Sequence, residues 1–306
     1  MLKDFSNDII DLYLNKKLST SKIAEKYNCQ KSSIYRILKL NGVKLRTISE
    51  SQRKYDVDQS FFDVIDTEEK AYVLGFLYAD GTNNPIEGRF QIGLAIYDRD
   101  ILEKIRIALK SNAPLKIKKG YNIKGSNYVG SPTATLCINN KKLSQKLNDL
   151  GVIHNKTYVL EFPDFIPDNL LRHFIRGYFD GDGSCTIGKR NKMKVSIAST
   201  KNFLEGIKKV CESKNWTVHI YSKKGVNSAI GIFEICGKDS VKGFLDWIYK
   251  DATIFSKRKY DRYYSYYYEN KPLEKYKKLT NEELMSLYGY EDVIPIYEDT
   301  QIKNNI

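Results

Sequence analysis

The sequence predicts an α+β protein in which two tandem αββαββα repeats follow a small all-helical domain. Three observations predict this fold class. Residues 6–46 show helical periodicity in three short stretches. Two later segments, YVLGFLYADGT at 72–82 and FIRGYFDGDGS at 174–184, match each other position by position. Each of them precedes alternating, strand-like runs and further amphipathic helices, so one supersecondary unit occurs twice.

The composition limits the class of protein. The 306 residues suffice for two or three domains, and a hydrophobic content of 42% suffices for a folded core. A net charge of +13 and a pI of about 9.2 favour a polyanionic partner, although a merely soluble basic surface is the alternative. Five scattered cysteines favour neither disulfides nor a zinc site. Without a run of 18 apolar residues, we expect a cytoplasmic protein and no membrane partner.

Residues 6–46 resemble a helix-turn-helix domain. Ser19 is a good N-cap for a second helix, and Asn28 suits the left-handed residue of a tight turn. Between Lys26 and Arg46 there are six basic residues and no acid, which favours DNA over the alternative of a three-helix bundle with a solvated basic face. A recognition helix reaches base edges with its first residues. The residues predicted to do so are Gln30, Lys31, Ser32, Ser33 and Arg36.

Changes in composition divide the chain into five segments. The segment after the first domain is polar, mixed in charge and aperiodic, so it is interpreted as a linker. Phe61 and Phe62 are expected to dock this linker on the next domain. The last segment is partly acidic and is expected to be peripheral. The predicted segments are a helix-turn-helix domain at 1–46, a linker at 47–66, repeats at 67–165 and 166–270, and a tail at 271–306.

The two matched segments end in acids at identical positions. Asp80 and Asp182 are 102 residues apart (182 − 80), and the same offset relates Gly75 to Gly177. An acid at the C-terminal end of a helix faces the negative end of the helix dipole, which is locally unfavourable. A mid-helix glycine costs about 1 kcal/mol relative to alanine. Both choices therefore require a compensating function.

These paired motifs resemble the LAGLIDADG homing endonuclease family in its single-chain form with two repeats. The resemblance covers roughly residues 68–268. It departs from the motif at Tyr78, where an acid is usual, while the second repeat keeps Asp180. The resemblance implies a monomer that acts as a pseudo-dimer, with its two motif helices packed in parallel about a pseudo-twofold axis. Gly75 and Gly177 would then allow the two backbones to approach closely.

The resemblance also implies metal-dependent hydrolysis of both strands of a DNA duplex. Asp80 and Asp182 would lie close together, and their repulsion would be resolved by Mg²⁺, with Mn²⁺ as a substitute. The backbone carbonyls of Ala79 and Gly181 would complete the set of oxygen ligands. Each aspartate would serve one strand, giving a staggered double-strand break.

Basic residues complete each active site in this family. Lys156 and Lys259 match those positions and would stabilise charge or position water, although each could be an ordinary surface lysine. Arg258 could take the place of Lys259. A polar residue from the first long strand of each repeat often lines the site, and here the candidates are Asp98 and Ser199.

The basic residues concentrate where the strands are predicted. From Lys104 to Lys146 there are ten basic residues and no acid, and from Lys189 to Lys224 there are ten basic residues and two acids. This excess favours two sheets that lie on DNA and bind it in a salt-dependent way. The strand residues predicted to contact DNA are Lys116, Lys118, Lys192 and Lys194.

The predicted function is that of a site-specific homing endonuclease that supports the movement of an intron or mobile gene. The alternative is a nucleic-acid binder that does not cleave, either an intron-RNA maturase or a helix-turn-helix transcription regulator. Regulators of this kind tend to lose the two acids, which this chain keeps. Maturases can keep them, so intron RNA stays open as a further partner.

Overall fold

The computed structural model describes residues 5–47, 54–120, 130–188, 191–222, 228–269 and 280–288. The chain divides into two compact units, Met1–Lys54 and Tyr55–Ile306. The second unit begins inside the segment predicted as a linker, and Phe61 and Phe62 are buried in its core. The two aromatic rings of the segment at 47–66 thus pack on the second unit, as expected from the sequence.

The first unit consists of three short helices around a small apolar core. Ser19 caps the second helix by accepting a hydrogen bond from the backbone N–H of Lys22 at 3.2 Å. Asn28, in the turn before the third helix, has a positive φ of 46°. Both features agree with the sequence. The helices are α1 (Ser6–Leu14), α2 (Thr20–Lys26) and α3 (Lys31–Leu40).

The first repeat of the second unit begins with a helix and contains a four-stranded antiparallel sheet in the order β1-β2-β4-β3. Its first helix starts after Thr67, whose hydroxyl accepts from the backbone N–H of Lys70. The elements are α4 (Glu68–Asp80), β1 (Gly81–Asn84), β2 (Arg89–Ala95), α5 (Arg99–Ala108), β3 (Lys116–Lys118), β4 (Thr133–Asn139) and α6 (Lys141–Asp149).

The second repeat has the same element order, and its sheet has the matching strand order β5-β6-β8-β7. The predicted α+β fold with two αββαββα repeats is therefore confirmed. The elements are α7 (Asp168–Asp182), β5 (Gly183–Ile187), β6 (Met193–Thr200), α8 (Lys201–Glu212), β7 (Val218–Tyr221), β8 (Ile230–Ile235) and α9 (Lys238–Tyr249). Two further helices follow, α10 (Lys257–Tyr264) and α11 (Asn281–Tyr288).

Both sheets bury one face and leave the other accessible, as expected from the alternation of side chains along a strand. In β2, Phe90 and Ile92 are buried in the core, whereas Gln91 between them is only partly buried. In β6, Val195 and Ile197 are buried in the same way. Each repeat therefore presents one partly solvated sheet surface.

Helices α4 and α7 pack directly against each other through their glycines. A Cβ atom at Gly75 would overlap the carbonyl oxygen of Phe174, and one at Gly177 would overlap the carbonyl oxygen of Tyr72. Only glycine permits such a close approach of two backbones. Helix α4 is buried on all sides between residues 71 and 78, so it forms the centre of the unit.

The described part of the C-terminal tail is not peripheral. Leu284 of α11 is buried in the core of the second unit, and Asn281 donates a hydrogen bond to the carbonyl of Gly130 at 3.1 Å. The expectation of a peripheral tail is wrong for this helix, because one apolar side chain anchors it. The rest of 271–306 lies outside the described residues. Among the helices of the described ranges, none is long and apolar enough to cross a membrane.

Candidate active site at the ends of two paired helices

Asp80 and Asp182 are the last residues of α4 and α7, and the packing of these helices brings their C-terminal ends together. A Cβ atom at Gly181 would lie 3.0 Å from Oδ2 of Asp80 and would overlap the methyl group of Ala79. The two helix ends are thus in contact, and the missing side chain at Gly181 leaves space beside Asp80. Gly81 and Gly183 then turn the chain directly into β1 and β5.

Burial and like charge make Asp80 an unusual acid. Burial first, and then the negative charge of Asp182, raise the pKa of Asp80 to about 6, although the positive charges of Lys259 and Lys156 oppose this increase. Asp182 is exposed on one side, yet partial desolvation by the protein on its other sides also raises the pKa of this carboxyl. Such a pair of carboxylates is costly without a cation.

Lys156 reaches the end of the first motif helix from the loop that follows α6. It lies in a short 3₁₀ turn, Lys156–Tyr158, and its Nζ donates to the backbone carbonyl of Ala79 at 3.0 Å and also to that of Gly81. Burial lowers the pKa of Lys156, and the charges of both aspartates partly restore it. The ammonium group therefore neutralises the negative end of the α4 dipole.

Lys259 occupies the same relation to the second motif helix. It lies in α10, and its Nζ is within hydrogen-bonding distance of four carbonyl oxygens at the end of α7, including Gly181 at 3.1 Å and Gly183 at 2.6 Å. The other two belong to Phe179 and Asp180. Burial lowers the pKa of Lys259, and its side chain is only 7% exposed. This lysine is therefore not an ordinary surface residue.

Arg258 does not take the place of Lys259. Its guanidinium forms two hydrogen bonds to the carboxylate of Asp98, Nε to Oδ1 at 2.8 Å and Nη2 to Oδ2 at 2.9 Å. Asp98 lies in the turn after β2 and is one of the charges that raise the pKa of Asp80. This ion pair therefore joins the two repeats next to the first aspartate.

The corresponding residue of the second repeat, Ser199, makes a different contact. Its hydroxyl accepts a hydrogen bond from the hydroxyl of Tyr178 at 2.8 Å. A hydrogen bond with Tyr178 also lowers the pKa of Asp182, against the larger effect of burial. The environments of the two aspartates are therefore not identical. Sequence reasoning missed Tyr178, because one buried tyrosine in a motif helix is indistinguishable from a core residue.

The donor atoms at the helix ends fit a hard divalent cation. Two carboxylates and the carbonyls of Ala79 and Gly181 are all oxygen donors, which Mg²⁺ and Ca²⁺ prefer. Both carbonyls already accept a hydrogen bond from a lysine, but a carbonyl oxygen has a second lone pair. Within the described ranges, no group of three or more His, Cys, Asp or Glu side chains is placed to hold a metal ion, so a cation here would also need backbone carbonyls as ligands.

The lysines predicted to contact DNA are all exposed. Lys116 and Lys118 are on the same face of β3, two residues apart. Lys194 is on the accessible face of β6, with its Nζ 3.7 Å from Glu234, and Lys192 directly precedes that strand. In the first unit, Ser33 is half-buried at the start of α3, and the exposed residues are Gln30, Lys31, Ser32 and Arg36.

Comparison with known proteins finds one family model that matches part of the chain. Residues 169–249 match the family model of the LAGLIDADG-like domain. An uncharacterized protein of Methanocaldococcus jannaschii is 27% identical over 185 residues, which are 58% of this chain and 64% of that protein. The chain therefore spans less than two thirds of the length of this curated relative.

Several solved structures are similar at low sequence identity. The homing endonuclease I-WcaI bound to its DNA recognition sequence aligns over 72% of this chain and 96% of its own, with 13% identity and a TM-score of 0.46. The alignment with the LAGLIDADG meganuclease I-AabMI bound to uncleaved DNA covers 63% of this chain and 87% of that one, with 14% identity and a TM-score of 0.40. The alignment with full-length WhiA from Thermatoga maritima covers 71% of this chain and 66% of that one, with 16% identity and a TM-score of 0.39.

Proposed function

We propose that this chain, whose residues 169–249 are a LAGLIDADG-like domain, is a site-specific endonuclease that cleaves both strands of a DNA duplex with the help of Mg²⁺. The observation that carries the proposal is the pair of motif helices. They end in Asp80 and Asp182, they touch at that end, and each end is met by a lysine, the half-buried Lys156 at one and the buried Lys259 at the other. An ordinary helix pair has no need of two acids and two lysines at one end.

The residues at the helix ends divide the chemistry between them. Asp80 and Asp182, with the carbonyls of Ala79 and Gly181, would hold the divalent cation. When bound, that cation would lower the pKa of water and stabilise negative charge on the attacked phosphate and the leaving oxygen. Every other contribution comes from the chain itself.

The two lysines supply fixed positive charge beside the aspartates. Their ammonium groups are held by carbonyl oxygens of the helix ends, so they need no reorganisation when a phosphate arrives. A phosphodiester carries negative charge, and it would be drawn to a place where two ammonium groups lie within a partly buried site. Because each motif helix has its own aspartate and lysine, each repeat would cut one strand.

The remaining basic surface would bind the target. The exposed lysines on the accessible faces of the two sheets would contact phosphates, and the first unit would add contacts through the start of α3. Cleavage at one long site suits the homing of an intron or a mobile gene, carried out in the cytoplasm. Manganese would replace magnesium, because it accepts the same oxygen ligands.

The test is cleavage of a randomised duplex library in Mg²⁺ by the full chain. The Asp80→Asn/Asp182→Asn variant should bind DNA and leave it uncut. The control is Asp149→Asn/Asp239→Asn, which removes two exposed acids, one in α6 and one in α9, and it should cut like wild type. A defined cut site that only the first variant loses supports the endonuclease.

Two other outcomes would replace the endonuclease proposal with a different function. Duplex binding without cutting by wild type in any divalent metal would favour a transcription regulator. Binding of structured intron RNA alone would favour a maturase.

A further inference from the structure

We propose that Tyr78 and Asp180 are positioning residues, each of which holds the lysine of its own repeat against the helix end that bears the aspartate. The two residues occupy the same place in the two motifs, 102 residues apart and two residues before Asp80 and Asp182. Both are buried, with 3% and 5% exposure. The role given to the lysines rests on the function proposed above, whereas the contacts that place them do not.

Tyr78 fixes the beginning of the loop that leads to Lys156. Its hydroxyl donates a hydrogen bond to the backbone carbonyl of Leu150, the C-cap residue that follows α6. The next residue, Gly151, has a positive φ of 92°, and a Cβ atom there would overlap the hydroxyl of Tyr78. The tyrosine hydroxyl and this glycine thus determine the direction in which the chain leaves α6.

Asn83 fixes the same loop further along. Its side-chain amide donates to the carbonyl of Val152 at 2.8 Å, and its own backbone carbonyl lies 3.3 Å from Nδ1 of His154. The loop is therefore held at Leu150 and again at 152–154, only two residues before Lys156. From there the lysine side chain returns to the helix that carries Tyr78 itself. Tyr78 thus holds the loop that carries Lys156, and Lys156 in turn contacts the end of the helix that carries Tyr78.

Asp180 fixes the beginning of the helix that carries the other lysine. Its Oδ2 accepts from the backbone N–H of Ser256 at 2.7 Å and from the hydroxyl of Tyr72 at 2.8 Å. Its Oδ1 accepts from the hydroxyl of Tyr249 at 2.7 Å. Ser256 is the N-cap of α10, and its carbonyl accepts from the backbone N–H of Lys259 at 3.2 Å. The carboxylate therefore determines where the first turn of α10 lies.

The difference between the two residues follows from what each one must bind. In the first repeat the segment before the lysine presents a backbone carbonyl, which requires a donor, and the tyrosine hydroxyl is one. In the second repeat the segment presents a backbone N–H, which requires an acceptor, and a carboxylate accepts without competing donors. The replacement of the usual acid by Tyr78 is thus a change of hydrogen-bond polarity that keeps the positioning role.

The first experiment follows the two strands separately on a duplex target labelled at both ends. Lys156→Met and Lys259→Met show which strand each lysine serves. Tyr78→Phe should slow only the strand that Lys156→Met slows, by about tenfold, and Asp180→Ala should slow only the other strand. Asp180→Asn should be much closer to wild type, because its amide oxygen still accepts from Ser256. Equal slowing of both strands by either variant would overturn the proposal.

The second experiment needs no activity. Amine labelling followed by mass spectrometry reports how accessible each lysine is. Tyr78→Phe should increase labelling of Lys156 and leave Lys259 unchanged, and Asp180→Ala should do the reverse. Tyr13→Phe, which removes a buried tyrosine hydroxyl in the first unit, should change neither lysine.

The two experiments separate this proposal from the proposed function. If wild type cuts no DNA but the labelling is selective in this way, the endonuclease proposal fails and the positioning role stands. If wild type cuts DNA and labelling of both lysines is the same in all variants, the positioning role fails and the endonuclease stands.

Discussion

Gly75 lies against Phe174 so closely that a methyl group on its α-carbon would overlap the carbonyl oxygen of Phe174. Gly177 stands in the same relation to Tyr72. The two motif helices can approach to this distance only because both positions lack a side chain. This approach places the two aspartates that end the helices next to each other, so the packing of the core decides the geometry of the candidate active site.

The first prediction concerns this contact. Gly75→Ala should lower the free energy of unfolding by about 3 kcal/mol, because the added methyl group forces the helices apart. An ordinary helix would gain about 1 kcal/mol from the same change. Urea unfolding measures the difference. Gly93→Ala is the control, since its Cβ would meet only Thr135 Oγ1 at 3.4 Å. A Gly75→Ala protein as stable as wild type would contradict the close packing.

The second prediction is a pH dependence without divalent metal. The pKa of Asp80 is raised from 3.8 to about 6, so the folded protein binds more protons than the unfolded chain in this range. Stability should therefore fall as the pH rises from about 4 to 6, by on the order of 2 kcal/mol from this group after allowance for its partial exposure. Urea unfolding at several pH values measures the slope. Asp80→Asn should make it shallower, and an unchanged slope would refute the assignment.

The third prediction concerns metal. Binding of Mg²⁺ to the folded protein alone should raise Tm, because a ligand of the native state stabilises it by mass action. The increase should be larger at pH 8 than at pH 5, since protonated carboxyls bind the cation poorly. The Asp80→Asn/Asp182→Asn variant should lose the Mg²⁺-dependent increase. Differential scanning calorimetry decides the matter, and an equal increase in that variant would place the cation elsewhere.

The fourth prediction concerns the ion pair between the repeats. Arg258→Met leaves the carboxylate of Asp98 without its bidentate partner, and the charge of Asp98 raises the pKa of Asp80. The pH range over which stability falls should therefore move upward in Arg258→Met. Adding Asp98→Asn should reverse this shift. Failure of the second substitution to reverse it would show that Arg258 acts on Asp80 by another route.

The fifth prediction concerns the first unit. If the start of α3 contacts phosphates, Lys31→Ala/Arg36→Ala should weaken DNA binding and reduce the slope of log K against log salt by up to about 2. Lys39→Ala, at the other end of the same helix, is the control. Fluorescence anisotropy at several salt concentrations gives both slopes. Identical slopes would leave the first unit without a role in binding DNA.

The sequence by itself determined the repeated fold and the identity of the two acids. The offset shared by Asp80, Asp182 and the mid-helix glycines is a local pattern, and strand alternation and helical periodicity are local too. Such patterns can be recognised without the tertiary structure, because each depends only on residues near one another in the chain. Reasoning from local patterns failed for the tail, because a single leucine in α11 does not indicate in the sequence that this helix packs on the core.

Only the tertiary structure decided which side chains meet at the helix ends. Lys259 and Arg258 are neighbours in sequence, yet one contacts the carbonyls of α7 and the other pairs with Asp98. The roles of Tyr78 and Asp180 likewise depend on whether a distant segment presents a carbonyl or an N–H group. These contacts join residues 72 to 160 positions apart, and a hydrogen bond over such a span is fixed by the packing of the whole unit and by no local pattern.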